Sequence, residues 1–184
     1  MKSKYLTTKT YPCWITEPLK GKDVFSSMSM TCDILDKLDV NWQLGSKTLL
    51  GFIREDQGFI DDHTSIDIDI LDFTVSYDEI YQAFTSKGFL CCRRQYFKEK
   101  EMQIAFTHPD SKIIIDLCFF YDWVENIKIN ISCDGIFARP EWSLNSKIVY
   151  PKHSYFKRGY NIPAETDRYL ISRYEDGEKL LFSL

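Results

Sequence analysis

The chain has 184 residues, 44% of them apolar, and a formal net charge of −4. That length buries roughly two thirds of its surface as one compact domain spanning residues 1–184, and the acidic balance excludes a general binder of nucleic-acid polymers, which needs concentrated Lys and Arg against phosphates. No run approaches the roughly 20 apolar residues that span a bilayer, and "MKSKYLTTKTYPCW" lacks an apolar stretch of signal length, so a soluble, cytoplasmic protein is expected.

Residues 1–25, with Pro12 and Pro18, read as an arm or one extended strand. In "SMSMTCDILDKL" the residues Met30, Ile34, Leu35 and Leu38 fall at helical spacing. The period then changes: Val40, Trp42 and Leu44 alternate with Asn41 and Gln43, which predicts a strand buried on one side. Gly45-Ser46 is a turn, "KTLLGFIR" a short helix, and residues 55–65 a loop. "SIDIDIL" follows as a strand with Ile66, Ile68 and Ile70 on one face and Asp67 and Asp69 on the other. "SYDEIYQAFTSKG" is a helix with Gly88 at its C-cap, "FLCCRRQYF" and "MQIAFTH" are antiparallel strands, and "SKIIIDLCFFY" is apolar enough for the inside of a sheet. "NIKINIS", "KIVYP" and "SYFKRGY" suggest short strands, and a helix starts after Pro163 in "AETDRYLISRYEDG". The order of elements predicts an α+β fold, a mixed sheet packed against helices. The six cysteines form no CxxC pair and sit among apolar neighbours, so buried thiols are expected.

Side chains two apart on a strand point the same way, about 6 to 7 Å apart at the backbone, so Asp67 and Asp69 address one small volume. Two like charges there call for a cation, and Mg²⁺ or Mn²⁺ prefers such oxygen ligands. The plain alternative is an edge strand whose aspartates face water and oppose self-association. Asp116 is the more telling residue, because a carboxylate flanked by Ile, Leu, Cys and Phe is costly to bury without a partner. For it the alternatives are a strand end at the sheet rim or an ion pair with an arginine.

A Gly-Ser turn, a strand with Asp-x-Asp and a third Asp on a later strand resemble the nucleotidyltransferase-like fold. "LGSKTLLGFIREDQGFI", "IIIDLCFFY", Tyr150-Pro151 and "NIPAETDRYLISRYEDG" resemble, in the same order, segments of the LicD/fukutin phosphotransferases. The intervening "DDHTSIDID" departs from the compact acidic cluster of that family's choline-phosphate branch, and Asp61 and Asp62 have no counterpart. The resemblance implies metal-dependent transfer of a phospho-alcohol, such as ribitol phosphate or phosphocholine, from a CDP-linked donor to a sugar hydroxyl of a glycan. Asp67, Asp69 and Asp116 would hold the metal ions that bridge the donor phosphates.

Gly45 and Ser46 suit a phosphate contact by close backbone approach and a hydroxyl, and Arg54 resembles the family's basic residue. Candidate substrate contacts are His63, Lys152, Glu165 and Arg168, the last two also an ordinary i,i+3 surface ion pair. Two other functions use the same residues: a nucleotidyltransferase moving NMP from an NTP to a small molecule or protein, and a non-catalytic nucleotide-binding or interaction module.

Overall fold

The computed structural model describes residues 6–11, 18–19, 22–54, 64–124, 127–132, 135–140, 146–149 and 159–173. Four helices and eleven strands are found among them. In chain order these are β1 (Leu6–Thr10), α1 (Val24–Lys37), β2 (Asn41–Leu44), α2 (Ser46–Arg54), β3 (Ser65–Asp72), α3 (Tyr77–Thr85), β4 (Leu90–Phe97), β5 (Lys100–Thr107) and β6 (Ile114–Phe119), then β7 (Tyr121–Val124), β8 (Ile127–Ser132), β9 (Gly135–Pro140), β10 (Ser146–Val149), β11 (Tyr160–Pro163) and α4 (Thr166–Arg173). The main sheet has six strands in the order β1-β4-β5-β6-β3-β2, while β7-β8-β9 and β10-β11 form separate small sheets. Only β3 with β6 pairs in parallel in the main sheet, so the sheet is mixed. None of the helices among the described residues is long and apolar enough to cross a membrane.

The helices begin where the sequence supplies caps. Asp23 Oδ1 accepts from the Ser26 N–H at 3.0 Å to start α1. Ser76 and Glu79 form a reciprocal capping box on α3, and the Ser76 backbone N–H and hydroxyl hold the Glu79 carboxyl below the usual carboxylate range. Gly88, at φ +85°, takes the left-handed conformation as the chain leaves α3.

One face of the sheet carries the core. Ile66, Ile68 and Ile70 of β3, Ile115, Leu117 and Phe119 of β6, and Ile104 and Phe106 of β5 pack with Met28, Cys32 and Leu35 of α1 and with Ile80 and Phe84 of α3. Phe84 stacks on Phe106 with ring centroids 4.6 Å apart. The opposite face is polar, and register alone shows it. One row across the strands runs Thr10, Arg93, Ala105, Asp116, Asp67, and the next runs Thr8, Gln95, Gln103, Cys118, Asp69, Gln43.

One alternative and two expectations are corrected. The strand of the aspartate pair is not an edge strand, since β3 lies between β2 and β6. The strand over Asn41–Leu44 is buried on both sides rather than one, because Gln43 shares full burial with Leu44. The cysteines are not all thiols: Cys32, Cys91 and Cys118 keep their thiols, but Cys92 is disulfide-bonded.

Two polar clusters tie the layers together. The buried Asn130 donates from Nδ2 to the Met102 and Phe119 carbonyls at 2.6 and 2.8 Å, locking β8 onto the main sheet. On the helical face, Arg94 binds the fully buried Glu101 through both Nε (2.6 Å) and Nη2, and its guanidinium lies over the Tyr81 ring of α3. Burial pushes the Glu101 carboxyl up, and the Arg94 hydrogen bonds oppose that rise.

Arg94→Ala is expected to cost about 3–5 kcal/mol, because it leaves a buried carboxylate unpaired. With the carboxyl raised in the folded chain, the native state binds more protons than the unfolded one, so stability falls as pH rises. The deficit should be largest at neutral pH and shrink as pH falls toward the ordinary glutamate range, as urea titrations of variant and parent at several pH values will show.

Candidate active site

The site is built where β2 hands the chain to α2. Beyond Leu44 the strand has ended, yet the Asp67 backbone groups on that side still need partners. The Gly45 N–H donates to the Asp67 carbonyl at 3.1 Å, and the Asp67 N–H donates to Thr48 Oγ1 at 2.7 Å. The Gly45 carbonyl in turn accepts from the Leu49 N–H at 3.0 Å, so Gly45 caps α2. A side chain at Gly45 would collide with the Asp69 carboxyl and force it to move: an added Cβ would lie 2.8 Å from Asp69 Cγ and closer still to Oδ1. Ser46 is a non-glycine residue at φ 47°, a conformation costing about 1–2 kcal/mol. Its N–H is met by the Tyr169 hydroxyl of α4 at 3.1 Å, and that hydroxyl donates to Asp69 Oδ2 at 3.2 Å. One tyrosine oxygen thus bridges the strained turn and a carboxylate that is only 1% exposed.

Asp67 stands directly opposite Asp116 in the parallel pairing of β3 with β6, and Asp69 lies two residues further on the same face. Asp67 is half-buried, while Asp116 is 7% exposed. Asp116 is not left to the apolar strand: Arg93 Nη2 donates to its Oδ1 at 2.9 Å. Arg93 and Asp116 are two strands apart, about 10 Å at the backbone. The arginine can reach because the residue between them in the row is Ala105, too short to block the path. The ion pair with an arginine, offered above as an alternative for Asp116, is therefore what the fold supplies.

The carboxylates are hard oxygen donors, and their placement on one sheet face beside a glycine that leaves the Asp69 carboxyl its room fits a divalent cation such as Mg²⁺ or Mn²⁺. In the arrangement seen, each accepts a hydrogen bond: Asp116 from Arg93, Asp69 from Tyr169 and Asp67 from the Ser65 hydroxyl. Among the described residues no group of three or more His, Cys, Asp or Glu side chains is drawn together as a metal cluster.

Of the remaining predicted residues, Gly45 and Ser46 join the aspartates. Arg54 ends α2, eight residues and about 12 Å along the helix from Ser46. Glu165 and Arg168 form an exposed ion pair with N···O 3.3 Å. His63 and Lys152 lie outside the described residues. The large aromatics are placed differently from one another. Trp42 is core and donates to Asp36 Oδ1 at 2.8 Å, Phe119 and Phe120 are buried, and Trp123 is 68% exposed; Trp142 lies outside the described residues. Sequence reasoning missed Arg93, Thr48 and Tyr169. The sole signal for Arg93 is a basic residue placed in register with the one small residue of β5 beside Asp116, which is visible only once the strands are paired.

No protein-family model matches the chain, and no curated protein matches it. Solved structures do. The lincosamide antibiotic adenylyltransferase LnuA, lincomycin-bound, superposes with a TM-score of 0.55 at 11% identity, over 88% of this chain and 96% of that one. With the mixed sheet and its helices, this defines a nucleotidyltransferase-like fold.

Tyr169→Phe removes both the acceptor for the Ser46 N–H and the donor to Asp69, so it should lower the unfolding free energy by about 1–3 kcal/mol in urea titration. Gly45→Ala should cost a similar amount by displacing the Asp69 carboxyl, about 1–3 kcal/mol. The two substitutions disturb one carboxylate, so the double variant should lose less than the sum of the single losses.

Proposed function

We propose that this chain is a metal-dependent nucleotidyltransferase that moves a nucleoside monophosphate from an NTP to a hydroxyl of a small molecule. The observation that carries this reading is the in-register pairing of Asp67 with Asp116 beside buried Asp69, at the start of α2, on a sheet shared with an adenylyltransferase. Asp67, Asp69 and Asp116 would hold Mg²⁺ or Mn²⁺, which when bound neutralises phosphate charge. Gly45 and Ser46 present the N-terminus of α2, whose dipole favours a phosphate. Asp116, oriented by Arg93, is the acceptor for the proton of the attacking hydroxyl. The hydroxyl oxygen bonds to the α-phosphorus, the bond from that phosphorus to the bridging oxygen breaks, pyrophosphate leaves, and the proton passes to the carboxylate.

A second reading rests on the segments that resemble LicD/fukutin proteins, "LGSKTLLGFIREDQGFI" and "IIIDLCFFY". It keeps the same carboxylates but takes a CDP-linked phospho-alcohol as donor and a glycan sugar as acceptor, with CMP leaving.

Calorimetric titration of ATP, CTP, GTP and UTP against CDP-ribitol, CDP-choline and CDP-glycerol, each with Mg²⁺ or Mn²⁺, separates the two. Selective NTP binding is expected. Selective CDP-alcohol binding would replace the first reading with the second, and a folded protein that binds neither would be a non-catalytic module. Asp67→Asn should retain the fold by circular dichroism and lose transfer roughly 10²- to 10³-fold, several kcal/mol of transition-state stabilisation.

A further inference from the structure

Helix α4 sends one polar atom into the carboxylate site. Tyr169 is 1% exposed, and its ring lies in the core with Leu170, where a phenylalanine would fill the same space. The hydroxyl is what a phenylalanine lacks, and it meets two groups of the site: it accepts from the Ser46 N–H at 3.1 Å and donates to Asp69 Oδ2 at 3.2 Å. Chemistry fixes both directions. A backbone N–H can only donate and an ionised carboxylate can only accept, so the single hydrogen of the phenol goes to Asp69 and a lone pair goes to Ser46.

The Asp69 carboxyl is thereby held from two sides. Tyr169 engages Oδ2, while Gly45 lies against the other oxygen, where a Cβ would collide with Oδ1. Rotation of the carboxyl about its Cβ–Cγ bond gives up the Tyr169 hydrogen bond. This hold differs in kind from the one on Asp116. Arg93 answers the Asp116 carboxylate with a full positive charge, whereas a neutral hydroxyl orients Asp69 without cancelling its charge. Carboxylates that bind metals are themselves hydrogen-bonded from behind, and loss of such a partner weakens metal binding by about 10- to 100-fold.

The same oxygen holds the start of α2. Ser46 keeps a left-handed backbone at φ 47°, and strain of this kind persists only where the surroundings maintain it. The turn that faces phosphate in the proposed reaction and the carboxylate that faces metal therefore share one atom of α4.

We infer that Tyr169 is a positioning residue for the metal: its hydroxyl sets the Asp69 carboxyl in the orientation that takes the divalent cation, and ties that orientation to the Gly45-Ser46 turn. This role rests on the metal-dependent reading given above.

The probe is Mn²⁺ alone, titrated into the full chain without nucleotide, with the free ion followed by its paramagnetic resonance signal. Tyr169→Phe should weaken Mn²⁺ binding about 10- to 100-fold while its circular dichroism matches that of the parent. Should that variant fail to fold, the same loss is read from Ser46→Gly/Tyr169→Phe against Ser46→Gly, since glycine takes the left-handed backbone without strain. Phe84→Leu, which loosens the stack on Phe106 in the core beneath α3, should leave the affinity unchanged. Mn²⁺ binding in Tyr169→Phe that equals or exceeds the parent's overturns the role, and so does an equal loss in Phe84→Leu, because the loss would then report stability alone. Two further measurements separate the failures. Mn²⁺ binding lost in Asp67→Asn but kept in Tyr169→Phe overturns the Tyr169 role alone. A parent that takes up no Mn²⁺ also overturns that role, and the metal-dependent reading falls with it only if ATP with Mn²⁺ fails to bind as well.

Discussion

The parallel pairing of β3 with β6 sets Asp67 against Asp116 on neighbouring strands, an arrangement of like charges that a sheet ordinarily avoids. Much of the neighbouring structure answers that repulsion. Arg93 extends over Ala105 to hold Asp116, Gly45 and Thr48 close the backbone of Asp67, and Tyr169 reaches from α4 to Asp69. A single shift in register between β5 and β6 would replace Ala105 by a bulkier neighbour and break the arginine's route. The carboxylate site thus depends on strand registry as much as on the aspartates themselves.

The Gly45-Ser46 junction shows how closely local conformation and site chemistry are joined. The glycine is required by the neighbouring carboxyl, and Ser46 bears a left-handed backbone that a hydroxyl from a distant helix compensates. Such strain persists only where its surroundings hold it in place, and here the groups that hold it are those that position Asp69. The opposite face of the sheet, filled with isoleucine and phenylalanine, carries no such demands and supplies the rigid floor.

A fold does not by itself set an activity; the side chains placed on it do. In this chain the strand that brings Arg93 to the carboxylates also sets Gln95 and Phe97 on the same face. The small β7-β8-β9 sheet is held against the main sheet by Asn130 through two backbone carbonyls.

Much of this was legible in the chain itself. The alternation in "SIDIDIL" separates a core face from an acidic face, helical spacing places α1 and α3, and the apolar run around Asp116 marks an interior strand. These follow from local periodicity, which needs no knowledge of neighbours. The alternation did not reveal that β3 is internal or that Asp69 is buried, because burial depends on what lies over a face. Nor did it reveal Arg93 as the partner of Asp116, a choice made by the register of β4, β5 and β6. Tyr169, readable only as an apolar position of the last helix, became a ligand of the site because α4 packs beside α2. The sequence by itself determined which residues are chemically able to serve and on which side of each element they stand. The tertiary structure decided which of them meet, since hydrogen bonds and ion pairs form over about 3 Å, a distance that no spacing along the chain specifies.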